Sequence, residues 1–227
     1  MPVEHTVKAF DDDITRLRGL IAEMGGLAEQ AIHEGIEALV KGSQSLADTV
    51  IARDKRIDAL EAEVDQLVVR IIALRAPMAD DLREIIGSLK IAGILERIGD
   101  YAKNIAKRTS RIERNKMLEP LTLVPAMAEI AAEMVHDVLT AYGARDPESA
   151  AEILERDAKV DAFYDSIFRN LVSFMVENPQ TITPAAHLLF VARNLERIGD
   201  QATNVAEQVY YAATGNYLHD RAERPEN

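Results

Sequence analysis

A chain of 227 residues with 48% hydrophobic side chains can bury one medium core or two small ones. Aromatic residues make up only 5% and tryptophan is absent, which favours aliphatic helix-on-helix packing over aromatic-rich strands. The net charge of -12 disfavours non-specific binding to nucleic acid or anionic lipid, and the absence of cysteine excludes disulfides, thiolate nucleophiles and thiolate metal sites.

The opening MPVEHTVKAFDDD lacks the basic-then-apolar pattern of a secretory signal, and no later stretch approaches about 18 uninterrupted apolar residues. The expectation is a cytoplasmic protein with no direct membrane insertion. A first helix is predicted over residues 11–41, with Gly42 as its terminator because glycine takes the left-handed conformation without strain. Ser45, followed by Asp48, offers the cap of a second helix. There Ile57, Leu60, Val64, Leu67, Ile71 and Leu74 alternate spacings of three and four, forming one apolar stripe that ends near Pro77. A third helix is read over 81–112, with Ile91, Ile94, Ile98, Tyr101 and Ile105 as its stripe. Residues 118–125, interrupted by Pro120, form the linker. A fourth helix covers 125–142. Asp146 caps a fifth with Pro147 at its first position, and Thr183 with Pro184 opens a sixth. Helices two, three, five and six are predicted to be about 25 to 33 residues, or roughly 38 to 50 Å. Such rods must bury their apolar stripes against one another, so the fold class is all-α, with two related three-helix units at 1–116 and 121–227.

The relation between the units is written in the chain. LERIGD occupies 95–100 and again 195–200, and the similarity continues as YAKNIAK against QATNVAE. Upstream, RDKRIDA at 53–59 corresponds to RDAKVDA at 156–162, a shift of 103 rather than 100. Duplication followed by a change of three residues in one loop explains both shifts.

Each unit carries two acidic pairs at i,i+4: Asp54 with Asp58 and Glu96 with Asp100, then Asp157 with Asp161 and Glu196 with Asp200. Like charges at this spacing repel by a few tenths of a kcal/mol, so four such pairs require an explanation. A helical wheel places Glu96 and Asp100 opposite the third helix's apolar stripe, while Asp54, Asp58, Glu61 and Asp65 flank the stripe of the second. If the two helices are neighbours, the pairs converge on one surface rich in oxygen ligands. Gly99 and Gly199 within the motif cost about 1 kcal/mol each relative to alanine, which points to a close approach or a crowded surface. The donors, with Asn104 and Asn204 one turn on, suit magnesium, calcium, manganese or iron better than a Cys/His zinc site. The bland alternative is a solvated acidic surface. Lys103 and Lys107 near Asp100 become Thr203 and Glu207 beside Asp200, so the second site is expected to be more acidic, although Arg193 is placed to pair with Glu196.

The remaining features carry little chemistry. His33, His136 and His187 have no ligand spacing around them and read as ordinary helical histidines, and Gly25-Gly26 marks a bend or close packing. Met24, Met78, Met127, Met134 and Met175 read as core or interface filler. There is no glycine-rich phosphate loop, serine elbow or dinucleotide fingerprint, and the Glu-to-His spacing of di-iron bundles is missing from the LERIGD motifs.

With its two-half layout, LERIGDYAKNIAK and LERIGDQATNVAE, and the paired aspartates Asp54/Asp58 and Asp157/Asp161, the chain resembles the PhoU family of phosphate-transport regulators across essentially its full length. The resemblance implies two side-by-side three-helix bundles bearing E/D-x-x-x-D motifs that bind metal ions, in some members iron or zinc clusters. Glu96/Asp100 and Glu196/Asp200 match that motif fully, and the other two pairs match its aspartate form. The cations implied are iron, manganese or magnesium, with zinc as a further candidate. The function implied is a non-enzymatic cytoplasmic negative regulator of the phosphate-starvation response. It would act at the membrane through protein partners, between the ATPase subunit of a phosphate ABC transporter and a sensor histidine kinase, with a homodimer as one assembly. A metal-storage or metal-delivery protein is the alternative, ahead of a metal-dependent enzyme.

Overall fold

The structure, a computed structural model, describes residues 2–112 and 122–218, with side chains described from Lys8 onward. Among them run six long helices: α1 (Pro2–Lys41), α2 (Gln44–Arg75), α3 (Ala79–Ala106), α4 (Val124–Ala144), α5 (Pro147–Glu177) and α6 (Ile182–Thr214). Single 3₁₀ turns stand at Thr109–Arg111 and Pro179–Thr181, and there are no strands among the described residues.

Local chemistry accounts for most boundaries. Gly42 ends α1 at φ +62°, in the left-handed region, as its position predicts. The cap of α2 is Ser43 rather than Ser45: its hydroxyl accepts from the Leu46 amide at 3.4 Å, while Ser45 lies inside the first turn. The turn after Gly42 is so tight that the helix restarts before Ser45 is reached. Asp146 caps α5 as expected, accepting from the amides of Glu148 at 3.0 Å and Ser149 at 3.2 Å ahead of Pro147. Thr183 is not a cap, because the Pro179–Thr181 turn feeds directly into α6 at Ile182. The first helix begins at Pro2 instead of near residue 11, and α3 gives way to a 3₁₀ turn by Thr109 instead of continuing to 112. Of the expected linker, residues 118–121 lie outside the described residues, and Pro125 sits in the first turn of α4.

Helices α1, α2 and α3 pack on one another, as do α4, α5 and α6, making two three-helix bundles side by side. The bundles meet where α3 lies on α6 and α1 on α4. Arg197 stacks over Tyr101 at 5.7 Å, Gly87 approaches Ala212, and Arg108 reaches His187 at 3.3 Å. Residue numbers rise on one helix as they fall on the other, so α3 and α6 run antiparallel. Gly25 provides a close approach of α1 to Leu139 on α4, whereas Gly26 meets nothing within 4 Å.

Duplication is visible in packing as well as sequence. Arg53 holds Glu34 at 2.7 Å, and its counterpart Arg156 holds Asp137, the same number of residues upstream, together with Glu133 at 2.7 Å. The apolar stripe of α2 is buried from Ile57 to Ile71, each such aliphatic side chain contributing roughly 1.5–3 kcal/mol. Leu74 departs from the expected stripe and is exposed, because the chain leaves the helix immediately afterwards. Between the bundles, buried Glu84 accepts from Arg18 on α1 at 2.7 Å and pairs with Arg145 at the end of α4, beside a Ser88–Tyr142 hydroxyl contact at 2.7 Å. Burial pushes the Tyr142 phenol up to about 12.

Candidate metal centre

The acidic pairs come together two by two, one face per bundle. In the first, α2 brings Asp54 and Asp58 to Glu96 and Asp100 of α3; in the second, α5 brings Asp157 and Asp161 to Glu196 and Asp200 of α6. The motif glycines allow this approach. A Cβ at Gly99 would stand 2.8 Å from Ile57 Cδ1 and 3.5 Å from Asp54 Oδ1, and one at Gly199 would stand 3.0 Å from Asp157 Oδ1.

Two of these carboxylates are buried, while Asp58 and Asp161 are exposed. Asp54 is 6% exposed and Glu196 is 9% exposed. Glu196 repeats Glu96 in the duplicated motif, and α6 is packed by α3, α4 and α5, which cover it. Burial raises the carboxyl of Glu96 above the usual range, with Asp100, Glu61, Asp58 and Asp54 adding to it. Asp58 is raised by burial and then by Asp54, against the pull of Lys103. In the second bundle burial, then Asp161 and Asp200, push Asp157 up to about 6. Glu196 and Asp200 are raised by burial first, then by their acidic neighbours.

The cations differ between the faces. In the first, the Lys103 ammonium donates to Asp54 Oδ2 at 2.5 Å and also to Asp100, bridging α2 and α3. Burial works against its charge, but the hydrogen bonds to Asp100 and Asp54 outweigh it and hold the ammonium above the ordinary lysine range. In the second, Thr203 donates to the backbone carbonyl of Asp200 at 2.7 Å, and the cation is Arg193, paired with Glu196 as its spacing predicts. Arg193 also lies 5.7 Å from the Tyr164 ring.

Two expected contributors are elsewhere. Lys107 stands 3.4 Å from Asn104 Oδ1 instead of at Asp100, and exposed Glu207 is not among the charges acting on Asp157, Glu196 or Asp200. Both are two turns past the motif aspartate, roughly 10 Å along the helix, too far for direct contact. Conversely, Glu61 belongs to the first face: burial, then Asp65 and Asp58, raise its carboxyl, and it acts on Glu96. Its Oε1 lies beside Gly93 of α3, where a Cβ would come within 3.4 Å, an ordinary contact. The counterparts of Glu61 and Gly93 at shifts of 103 and 100 are Tyr164 and Arg193. That exchange was readable from the repeat alignment, but its meaning needed the neighbouring helix.

Three carboxylate oxygens on these faces, Asp54 Oδ1, Asp157 Oδ1 and Glu196 Oε2, are buried without a hydrogen-bond donor. No group of three or more His, Asp or Glu side chains among the described residues stands in metal-binding geometry. The donor set is nevertheless one of hard oxygens with unmatched charge, which suits a hard cation after a small side-chain convergence. The histidines lie apart: His33 faces Glu129 at 3.8 Å and His136 faces Glu29 at 3.1 Å across the α1–α4 contact, while His187 is shifted down by burial and Arg108. A cavity of about 170 Å³, lined by Asp80, Asp81, Glu84, Tyr142, Arg145 and Val209, belongs to the inter-bundle junction. Among the described residues no helix is long and apolar enough to cross a membrane.

The PhoU domain model matches twice, over residues 21–109 and 124–209. The chain is 51% identical to the phosphate-specific transport system accessory protein PhoU homolog of Zymomonas mobilis, covering 96% of this chain and 92% of the relative. It is 45% identical to the protein of the same name from Rhizobium meliloti, over 98% and 94%. Among solved structures, PhoU from Pseudomonas aeruginosa superposes with a TM-score of 0.87 at 34% identity, covering 91% of this chain and all of that one. The phosphate transport system regulatory protein PhoU from Streptococcus pneumoniae, at 24% identity and TM-score 0.86 over 92% and 98% of the two chains, shares the fold.

Proposed function

The chain belongs to the PhoU family, and from that premise we propose that it is an accessory regulator of a phosphate-specific transport system. In this reading it acts on the cytoplasmic side of the membrane as a non-enzymatic adaptor. One surface meets the ATPase subunit of a phosphate ABC transporter and another a sensor histidine kinase, and the phosphate-starvation response is held off while phosphate is plentiful. The observation that carries the reading is similarity over nearly the whole length to relatives named as accessory proteins of such a system. Helices of 28 to 40 residues in α1, α2, α3, α5 and α6 offer contact area for such partners. Deleting the gene should switch a phosphate-starvation reporter on in phosphate-rich medium; a reporter that stays repressed would overturn the adaptor role.

The same reading assigns the carboxylate faces to hard cations such as iron, manganese or magnesium. Asp157, Asp161, Asp200 and the free oxygen of Glu196 would hold one in the second unit, at 121–227. Asp54, Asp58, Glu96 and Asp100 are the corresponding ligands in the first, at 1–116. What supports the assignment is the buried, donor-less oxygen on both Asp157 and Glu196. A bound cation supplies positive charge that relieves carboxylate repulsion and ties α5 to α6, stabilising the fold by mass action.

A further inference from the structure

The duplication supplies an internal control for surface positions, and at one place the two units part company. Glu61 and Gly93 of the first unit are replaced by Tyr164 and Arg193 in the second, and the exchange continues one turn on. Exposed Asp65 becomes Phe168, and exposed Lys90 becomes Phe190. These two rings are 43% and 53% exposed, in a chain with only five phenylalanines. The first unit makes the same bundle with an aspartate and a lysine there, so the fold itself does not require the rings.

The rings stand together. Gly199 abuts Val160 and Asp157, and Arg193 lies 5.7 Å from the Tyr164 ring, so α5 and α6 run antiparallel up to the turn at Pro179–Thr181. Phe168, one turn beyond Tyr164 and 6.4 Å from its ring, is therefore level with Phe190, one turn before Arg193. Exposed Val172 and Ile182 extend the strip towards the turn. Cations line its α3 side: the Arg108 guanidinium covers the Phe190 ring at 4.8 Å, Arg111 acts with it on His187, and Arg193 closes the far end. The opposite edge, along α5, carries exposed Asp161 and Asp165.

Protein interfaces concentrate aromatic rings and arginines, whereas solvated surfaces carry the lysines and carboxylates that the first unit has here. We propose that the Phe168–Phe190 strip is a docking site for an acidic amphipathic segment of a protein partner, whose apolar side chains lie between the two rings and whose carboxylates face Arg108 and Arg111. The basic edge favours an acidic segment, while the net charge of -12 works against an anionic membrane surface. The inference rests on the adaptor reading and adds which unit and which side chains meet a partner. The first unit retains the aliphatic ends of the strip as Val69 and Leu82, but puts charges where the rings stand.

The experiment measures binding of the full-length chain to the two partners of that reading, the purified transporter ATPase subunit and the full-length kinase in nanodiscs. F168D/F190K installs the first unit's own residues, leaves the net charge unchanged, and should melt within a few degrees of wild type. It should lose affinity for one partner by about tenfold or more, and R111E should weaken the same partner by about threefold or more. K90A, at the equivalent place in the first unit, should change neither affinity. If the double variant folds poorly, F168D and F190K are measured singly. Unchanged affinities for both partners would overturn the inference and leave the adaptor reading standing. So would effects of the variants confined to phosphatidylglycerol vesicles, or to self-association measured by sedimentation. Wild type binding neither partner would overturn both.

Discussion

The first and second carboxylate faces descend from one ancestral pattern, yet they solve the same electrostatic problem differently. In the first, an ammonium is built into the aspartate corner and a fifth acid, Glu61, joins the face. In the second, a guanidinium guards the glutamate, Arg193 and Arg197 act on Asp200, and Asp157 is left to the repulsion of Asp161 and Asp200. Counting charges alone would misjudge the pair, since both faces have cations beside their acids, partly buried Lys103 in the first and exposed Arg193 and Arg197 in the second. What separates them is where those cations stand. A lysine hydrogen-bonded to two aspartates neutralises both, whereas the arginine paired with the glutamate stands about two turns from Asp200.

The comparison can be broken most forcefully at the motif glycines. Gly99→Leu should drive a side chain into Ile57, and Gly199→Leu should drive one into Asp157 and Val160, each costing about 2–3 kcal/mol in urea denaturation. Because the second contact is with a carboxylate proposed to hold metal, Gly199→Leu should also abolish cation binding at the second face, and Gly99→Leu should spare it. Opposite signs are expected one step down in size. Asp54→Asn weakens the partner of a buried ammonium and should destabilise by about 1–2 kcal/mol. Asp157→Asn removes repulsion and should stabilise metal-free protein near pH 7 by about 1 kcal/mol, once solvent screening is allowed for. Equal and same-signed effects in a denaturation series would show that the two faces are electrostatically alike.

The pH profile sharpens the same contrast. The Asp157 carboxyl is pushed from 3.8 to about 6 in the folded state, so folding takes up a proton between those values. The penalty is absent below that window and complete above it, and for this group metal-free protein should therefore gain stability as pH falls through about 6 towards about 4. Asp157→Asn should flatten the slope, measured as melting temperature against pH. An unchanged slope would mean that Asp157 is not strained. The smallest effects belong to residues that only appear to matter: Lys107→Ala and Glu207→Ala should each shift stability by less than about 0.5 kcal/mol and leave cation affinity alone. A tenfold change in affinity from either would restore the charge-count view.

Much of this was legible in the chain. Periodicity located six helices, the Asp146–Pro147 cap and the Gly42 stop followed from local backbone chemistry, and the doubled LERIGD motif disclosed the duplication and the family. Gly99 and Gly199 announced a close approach before its partner was visible. These features are local or repetitive, and a helix of period 3.6 fixes the angle between its own side chains wherever it lies. The misreadings share one cause. Ser45 and Thr183 were plausible caps displaced by turns tighter than spacing reveals, and Lys107 and Glu207 were counted by proximity in sequence rather than reach along the axis.

Helical phase states which residues share a side, but not which other helix covers that side. Glu196 is polar by type, yet it is buried because α6 is enclosed by three neighbours. Lys103 reads as an ordinary i,i+3 partner of Asp100 until α2 brings Asp54 to its other flank. Glu61 joins the first face only because α3 brings Glu96 within its electrostatic reach. Each of these depends on the distance and register between two helices. Those are set by the fit of many apolar side chains at once, a quantity that no spacing within a single helix contains.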